Sequence, residues 1–317
     1  MNYAFSRNAL KEGLLIKGFK NGDRIIMPHF ICEAIIHVLD ELNIKPVFYD
    51  IDRNFLPNWS QINNHQINFN CKGILMVHYF GQPQNIRDFR IFSSENNLIL
   101  IEDNAHGHGG LIDGKLLSTF GDIGISSPRK LVNTFSGGIL FIDGEIFQSN
   151  KTRRISILSF RFFFNILSFI LPKFSLRIKN LIFRKNCNNL NDFKEDRVSF
   201  FMIDYISQIR IKLFDWHTES SKRRKNWNEW AEWAVDNNLE PFKMSPEQKS
   251  NPWALPIYFK NPQERERIFL FGKSKNIPFF PWPSLSTEVI KNHKESKERW
   301  KQMLCVNLDF PPSYWDL

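Results

Sequence analysis

The chain has 317 residues, of which 42% are hydrophobic and 24% charged, a composition that fits a globular protein and excludes a disordered or fibrous one. Its four cysteines are widely spaced and form no CxxC pair, so reduced thiols in a cytoplasmic protein are expected. The formal net charge of +9 indicates a basic, solvated surface, with an anionic substrate or an anionic membrane surface as the alternatives.

The first predicted helix begins near residue 7. Ala9, Leu10 and Leu14 share one face of it. Ser6 and Arg7 stand at its start, where a hydroxyl, a guanidinium and a helix N-terminus together form a phosphate site. A plain N-cap by Ser6 is the alternative.

Strands and helices then alternate along the chain. Strands are predicted at 24–28, 45–52, 73–81 and 98–102, and helices at 29–42 and 84–97, with a polar, Asn-rich segment before residue 73. The last two strands are continuously apolar, as strands buried on both faces are. This order predicts a parallel α/β sheet whose ligand lies beyond the carboxyl ends of the strands.

After a further strand at 138–143, the character of the chain changes. An apolar run of 17 residues at 155–171 contains Arg161 and Asn165 and is followed by basic residues. It is shorter than the roughly 20 apolar residues of a transmembrane helix. A buried or dimer-facing helix and an interfacial membrane helix both fit, and residues 155–185 are predicted to form a hydrophobic and basic helical insertion.

The chain is predicted to contain a large domain, residues 1–235, and a small α+β domain, residues 236–317. Near the end of the large domain, tryptophans at 227, 230 and 233 follow a basic run. Their spacing favours a packed face beside a solvated one over a nucleic-acid platform. The small domain is predicted to have a strand at 253–259 and a helix at 264–275, and no further core element after residue 295.

The stretch at 98–138 carries the chemistry. Asp103 ends a predicted central strand, and Lys130 follows 27 positions later, behind two hydroxyls. A pyridoxal phosphate site needs a Lys for the Schiff base, a carboxylate at the pyridinium nitrogen, donors around the phosphate and a flat group over the ring. Lys130 and Asp103 are predicted for the first two roles, and His106 is placed to reach the ring or its phenolic oxygen.

The residues predicted to cradle the phosphate are Arg7, Asn8, Ser126 and Ser127. Each candidate alone has an ordinary explanation as a solvated Lys, a helix cap or a loop. Their order along an alternating α/β chain favours the cofactor site. No metal site is predicted, since His106 and His108 lack nearby carboxylate or Cys partners in the sequence.

Several motifs resemble the DegT/DnrJ/StrS family of pyridoxal phosphate-dependent sugar aminotransferases. The matching segments are 21–28, 45–52, 77–83, Ile101-Glu-Asp-Asn-Ala-His106, Phe120-Gly-Asp-Ile-Gly124, and Ser127-Pro-Arg-Lys130 followed by Gly137-Gly138. The resemblance implies pyridoxal phosphate fold type I, with a mainly parallel seven-stranded sheet sandwiched by helices. It also implies a homodimer, with Phe30 or Cys32 nearest the face of the cofactor ring.

The activity implied is amino transfer, usually from glutamate, to a keto group on a nucleotide-linked sugar for polysaccharide or amino-sugar biosynthesis. The protein would be cytoplasmic, with residues 155–171 offering a peripheral membrane contact. Two alternatives remain: a pyridoxal phosphate-dependent sugar dehydratase, and a degenerate member that acts as a binding or scaffold protein. Because the family's dehydratases carry His in place of the Schiff-base Lys, Lys130 favours transfer.

This sequence departs from the family pattern in several places. The usual segment before the first helix is not found, and the loop before Lys130 is two residues shorter. His106 stands where Gln is common. Glu195 falls where an Asn reaches the partner's phosphate, so that contact is in doubt because a carboxylate repels phosphate.

Overall fold

A seven-stranded sheet forms the centre of the fold. The computed structural model describes residues 3–132, 134–149, 202–243 and 250–315. The strands are β1 (Arg24–Pro28), β2 (Lys45–Tyr49), β3 (Gly73–Val77), β4 (Ile99–Asn104), β5 (Leu111–Ile112), β6 (Lys115–Leu116), β7 (Ile123–Ser126), β8 (Ile139–Ile142), β9 (Glu145–Ile146), β10 (Glu240–Pro241), β11 (Ala254–Tyr258), β12 (Phe279–Phe280) and β13 (Met303–Asn307).

The strand order in the large sheet is β2-β1-β3-β4-β7-β8-β9. The first five strands in this order are parallel, and β8 and β9 add antiparallel at one edge. The mainly parallel α/β sheet predicted from the apolar runs is therefore confirmed. β3 and the interior of β4 are buried along their length, as strands covered by helices on both faces must be.

The helices of the described residues are α1 (Ser6–Ile16), α2 (Glu33–Glu41), α3 (Trp59–Phe69), α4 (Ile86–Glu95), α5 (Tyr205–Lys212), α6 (Trp216–Asp236), α7 (Pro262–Lys275), α8 (Thr287–Asn292) and α9 (Lys294–Lys301). Helix α3 forms within the Asn-rich segment, where the sequence shows no apolar periodicity. It is held by tertiary contacts, since Ile62 is buried and the Trp59 ring lies 4.9 Å from that of Phe89.

Helix α1 packs closely on the sheet at Gly13. A Cβ at this position would lie 2.7 Å from Ile123 and 2.9 Å from Leu140, in β7 and β8. Glycine weakens a helix interior by roughly 1 kcal/mol, but here it lets the helix axis approach the sheet. This approach places the start of α1 above the carboxyl end of β7.

A second sheet has the order β10-β11-β13-β12 and is antiparallel throughout. Its strand β13 corrects the expectation that no core element follows residue 295. Cys305 and Val306 are completely buried there, between the two neighbouring strands. The run is short and follows a charged helix, so its central place appears only through strand pairing.

The tryptophan spacing of α6 predicts packing correctly for Trp227 and Trp230, which are 3% and 0% exposed. The basic run preceding them is not uniformly solvated, however. Lys222 and Lys225 are exposed, whereas Arg223 is fully buried. Arg223 is turned inward because it pairs with buried Glu219 one helical turn earlier.

Within the described residues, no helix has both the length and the apolar content to span a bilayer. The predicted insertion at 155–185, its membrane-facing run at 155–171, and Glu195 all lie outside the described residues.

Candidate active site

A cleft opens at the carboxyl ends of the parallel strands. It lies where the ends of β3 and β4, the start of α1 and the turn before Lys130 meet. The residues that line it include Arg7, Cys32, Asp103, His106, Arg129, Lys130 and Trp282. Five of the nine predicted site residues therefore line this cleft: Arg7, Cys32, Asp103, His106 and Lys130.

Asp103 is the penultimate residue of β4 and is 7% exposed. Its Oδ1 accepts one hydrogen bond, from the amide of Ala105 at 2.9 Å. Burial raises the pKa of this carboxyl above its ordinary 3.8, and the Ala105 amide and the charge of Lys130 only partly oppose that effect. Asp103 is thus a buried carboxylate that a cation in the cleft would stabilise.

Glu102 points to the opposite side of β4 and has a structural role. Its carboxylate accepts from the ring of His78 at 2.9 Å and from the amides of Ser118 at 2.6 Å, Phe120 at 2.7 Å and Gly121 at 3.0 Å. Burial raises the pKa of Glu102, but these donors outweigh burial and hold it below 4.5. Glu102 therefore anchors the loop before β7 as a carboxylate.

The Phe120-Gly-Asp-Ile-Gly124 motif docks on β4 by the same means. Asp122 accepts from the amide of Leu100 at 2.7 Å. A Cβ on Gly121 would lie 2.8 Å from the Leu100 carbonyl oxygen, and one on Gly124 would lie 1.8 Å from the Ser118 carbonyl oxygen. The two glycines are required because backbone passes where side chains would be.

Lys130 ends the 3₁₀ helix Pro128–Lys130, which directly follows Ser126 at the end of β7 and Ser127. Its Nζ lies 4.8 Å from the centre of the Trp253 ring, a cation–π distance. The charge of Lys130 acts on both Asp103 and His106. Lys130 and Asp103, which are 27 positions apart in sequence, are thus close enough in the fold to interact electrostatically.

Gly137 and Gly138 bring the start of α1 to Lys130. Their amides donate to the carbonyls of Ala4 and Tyr3, each at 2.8 Å. A Cβ on Gly138 would lie 2.5 Å from the backbone of Phe5. The glycine pair therefore lets residues 3–5 lie against the strand that follows it.

His106 is buried between aromatic rings. Its Nδ1 accepts from the amide of Phe80 at 3.2 Å, and its ring lies 4.4 Å from Trp253 and 4.8 Å from Trp282. Burial, together with the charge of Lys130, lowers its pKa well below 6.5. His106 is therefore a neutral imidazole with its proton on Nε2.

The predicted phosphate residues divide into two groups. The Ser127 hydroxyl is completely buried and has no hydrogen-bond partner among the described residues, and the Asn8 side-chain oxygen is in the same situation. Ser126 differs, because its hydroxyl is bonded to Nδ1 of His108 at 2.8 Å. Ser126 thus contributes to the wall behind the cleft, whereas Ser127 has a hydroxyl left to donate.

Two guanidiniums flank this region. The Cζ atoms of Arg7 and Arg129 lie 4.8 and 4.6 Å from the centre of the Phe5 ring. Helix α1 has no side-chain cap, since Phe5 is the N-cap residue and Ser6 lines the cleft. The plain N-cap by Ser6 is therefore wrong, and the open helix end faces the same space as the two cations.

The two residues predicted nearest the cofactor ring face are placed differently. Cys32 lines the cleft. Phe30 is fully buried behind it, 6.0 Å from the Phe55 ring and 5.7 Å from the Trp282 ring. Between these two, only Cys32 is in contact with the cleft.

Sequence reasoning missed Trp253, Trp282 and Arg129 as site residues. Arg129 had a local signal, because it directly precedes Lys130. Trp253 lies 123 positions further on, and nothing in its own segment marks it.

Arg223 holds Trp253 and the Lys130 loop together. Its guanidinium donates to the carbonyl oxygens of Leu131 at 3.1 Å and Trp253 at 3.2 Å. Glu219 and Asp309 supply the carboxylates that neutralise it. This buried network links the carboxyl end of the large sheet to the second sheet.

The chain is similar to several known proteins. The model of the DegT/DnrJ/EryC1/StrS aminotransferase family matches residues 6–161. The GDP-perosamine synthase of Vibrio cholerae is 30% identical over 140 residues, which cover 44% of this chain and 38% of that enzyme. The aligned part is therefore about two fifths of that relative's length.

Solved structures are similar over the whole chain. Helicobacter pylori PseC, an aminotransferase of pseudoaminic acid biosynthesis, has a TM-score of 0.69 at 15% identity, covering 100% of this chain and 83% of that one. Bacillus subtilis ntda with bound cofactor PMP has a TM-score of 0.65 at 18% identity, covering 100% and 70%. At these identities the likeness establishes the fold, which is pyridoxal phosphate fold type I.

Proposed function

We propose that this chain, of which residues 6–161 match the model of the DegT/DnrJ/EryC1/StrS aminotransferase family, is a pyridoxal phosphate-dependent aminotransferase acting on a keto sugar linked to a nucleotide. The observation that carries the proposal is the meeting of Asp103, Lys130 and His106 in one cleft at the carboxyl ends of parallel strands. Parallel α/β sheets bind their ligands at this edge.

The residues present fit pyridoxal phosphate. No cation among the described residues is in contact with Asp103, and a protonated ring nitrogen would relieve the cost of its burial. The buried Ser127 hydroxyl and the start of α1 provide donors for a phosphate dianion. When bound, the cofactor supplies an electron sink for the carbon that gains or loses the amino group.

The chain's own residues have separate roles in this proposal. Lys130 holds the cofactor covalently and carries protons at Nζ once that bond is exchanged. The neutral His106 ring positions the cofactor without adding charge beside Lys130. Trp253 and Trp282 exclude water on the side of the second sheet.

The remaining parts of the proposal rest on the family resemblance. These are glutamate as amino donor, a homodimer, a cytoplasmic location and a role in polysaccharide or amino-sugar biosynthesis. Peripheral membrane contact through residues 155–171 rests on hydropathy alone. We also propose a large domain of residues 1–235 and a small domain of residues 236–317, the latter built on the second sheet.

The test locates the covalent attachment. We expect the chain incubated with pyridoxal phosphate and reduced with borohydride to carry a pyridoxyl group on the peptide that contains Lys130. Lys130→Ala should abolish the label and the visible absorption of the bound cofactor. Lys115→Ala, which changes an exposed lysine, should leave both unchanged. A label that persists in Lys130→Ala would overturn the assignment.

Amino transfer is tested next. Glutamate should discharge the visible absorption, and a nucleotide-linked keto sugar should restore it with formation of an amino sugar detectable by mass spectrometry. Labelling of Lys130 without conversion by any common amino donor would instead favour the degenerate binding protein. A deoxygenated sugar product without amino transfer would identify a dehydratase.

A further inference from the structure

A second cluster of side chains that can ligate a metal lies at the same edge of the sheet, away from Lys130. His29 follows β1, Asp50 follows β2, and His293 stands between α8 and α9. One ligand atom from each lies within 4.8 Å of the others. None of these residues has a role in the proposed amino transfer.

The sheet itself brings two of the three together. The parallel register pairs Pro28 with Tyr49, so the next residues, His29 and Asp50, emerge side by side. The His29 amide continues the ladder by donating to the Tyr49 carbonyl at 3.2 Å. His29 is 2% exposed, and its Nε2 is directly bonded to Oδ1 of Asp50.

Further contacts orient the outer atoms of these side chains. Nδ1 of His29 is bonded to the buried hydroxyl of Ser296 in α9. Oδ2 of Asp50 accepts from Gln61 Nε2 at 2.6 Å, and Gln61 Oε1 accepts from the Asp50 amide at 2.6 Å. Histidine and carboxylate ligands of metals characteristically have such outer partners, which set the tautomer and the direction of the free lone pair.

The third side chain comes from the other end of the sequence and is also held. The ring of His293 stacks on His29 at 4.7 Å and meets the edge of Phe48 at 5.2 Å. Phe48 belongs to β2 and His29 directly follows β1, so both ring contacts tie His293 to the large sheet. The cluster therefore joins the carboxyl ends of β1 and β2 to the α8–α9 junction.

We propose that His29, Asp50 and His293 bind a divalent transition-metal ion of the zinc class. Two imidazoles and one carboxylate are a typical three-residue set for Zn²⁺, with water in the fourth position. The nitrogen ligands favour zinc-class ions over Mg²⁺ or Ca²⁺, which prefer all-oxygen sites. On binding, the ion replaces the proton shared by His29 and Asp50, and that proton is released to solvent.

A bound ion would connect two parts of the fold. The ion would tie α8 and α9 to the large sheet at residue 29, three positions before Cys32 in the cleft wall. Because the ion would bind the folded chain and not the unfolded one, it would stabilise the folded state by a free energy that grows with metal concentration.

Zinc titration of the full chain loaded with pyridoxal phosphate tests the proposal. After removal of metal by a chelator, we expect equilibrium dialysis against ZnCl₂ to give one tightly bound ion per chain. His293→Gln and Asp50→Asn should each weaken binding by at least about 10-fold, and Ser296→Ala by about 10-fold through the lost outer contact. His217→Gln, an exposed histidine of α6, should bind as the parent does.

Thermal unfolding with and without ZnCl₂ keeps the test decisive if a variant is less stable. Zinc should raise the midpoint of the parent and of His217→Gln, but not that of His293→Gln, which leaves the His29 bonds to Asp50 and Ser296 in place. X-ray absorption at the zinc edge should show two imidazole nitrogens. No tight ion in the parent, or equal affinity in parent and His293→Gln, would overturn the proposal.

Discussion

Two neighbouring carboxylates on opposite faces of β4 differ in the number of hydrogen bonds that they accept. Glu102 is fully buried and receives four hydrogen bonds, from one imidazole and three amides. Asp103, the next residue, is nearly as buried and receives one from the part of the chain that the structure describes, donated by the Ala105 amide. The pKa of Glu102 lies below its ordinary value and that of Asp103 above it.

The two carboxylates are similarly buried, so the number of hydrogen-bond donors around each one distinguishes the structural carboxylate from the one that is available to a ligand. A buried carboxylate whose lone pairs are all used stabilises the fold as an anion. One with lone pairs remaining costs stability until a cation or donor arrives. Glu102 therefore organises the loop at 118–121, and Asp103 is left for the cleft.

Removing Glu102 should have the largest effect. Glu102→Ala leaves three amides and the His78 ring without their acceptor, and we expect the free energy of unfolding to fall by about 4 kcal/mol. Urea unfolding measures this, with exposed Glu145→Ala as the control, expected to change it by less than about 0.5 kcal/mol. A small loss in Glu102→Ala would erase the contrast between the two faces.

Asp103→Asn should separate function from stability. Asn still accepts from Ala105 and removes a buried charge, so we expect unfolding free energy within about 1 kcal/mol of the parent. Loss of the charge at the ring nitrogen should reduce amino transfer by about 100-fold, equivalent to about 2.7 kcal/mol. Steady-state kinetics beside urea unfolding checks both, and unchanged kinetics would remove Asp103 from its role.

Gly124→Ala tests the packing on the Glu102 face. The new methyl group would meet the Ser118 carbonyl oxygen at 1.8 Å, so the loop that supplies donors to Glu102 must move. We expect a loss of about 2 kcal/mol in unfolding free energy. Gly114→Ala is the comparison, since no atom lies within 4 Å of a Cβ there, and its cost comes from a φ of +76° alone.

The smallest expected effect concerns His108, in the loop after β4. Burial lowers its pKa from 6.5 to about 3, so below pH 6.5 the unfolded chain takes up a proton that the folded chain does not. Stability from this group is complete above pH 6.5 and falls as the pH decreases toward 3. Between pH 7 and 5.5, His108→Gln should lose about 1 kcal/mol less unfolding free energy than the parent. Identical pH profiles would contradict the assignment.

Much of the large sheet could be predicted from the sequence because strands buried on both faces must be apolar along their length. The apolar runs that form β3 and β4 meet this condition. Helix α3 and strand β13 escaped prediction, since one lacks apolar periodicity and the other is a short run beside charged residues. Both depend on contacts with distant elements.

The order of Asp103 and Lys130 along the chain predicted their roles, since parallel strands direct their carboxyl ends to one edge. The state of each residue did not follow from that order. Ser126 and Ser127 are adjacent and chemically identical, yet His108 forms a hydrogen bond only with the hydroxyl of Ser126. Of Phe30 and Cys32, the two candidates expected nearest the ring face, only Cys32 lines the cleft, because the Phe55 and Trp282 rings pack against Phe30 and bury it.

The sequence by itself determined the parallel sheet, the sheet edge at which the cleft lies and the presence of a carboxylate and a lysine at that edge, since these follow from local apolar patterning and chain order. Only the tertiary structure decided which polar groups remain without partners, and which distant residues meet them. Trp253 reaches Lys130, and His293 reaches His29, across more than 120 and 260 positions. Such meetings depend on how the second sheet and α8–α9 pack on the first, and no local pattern records that packing.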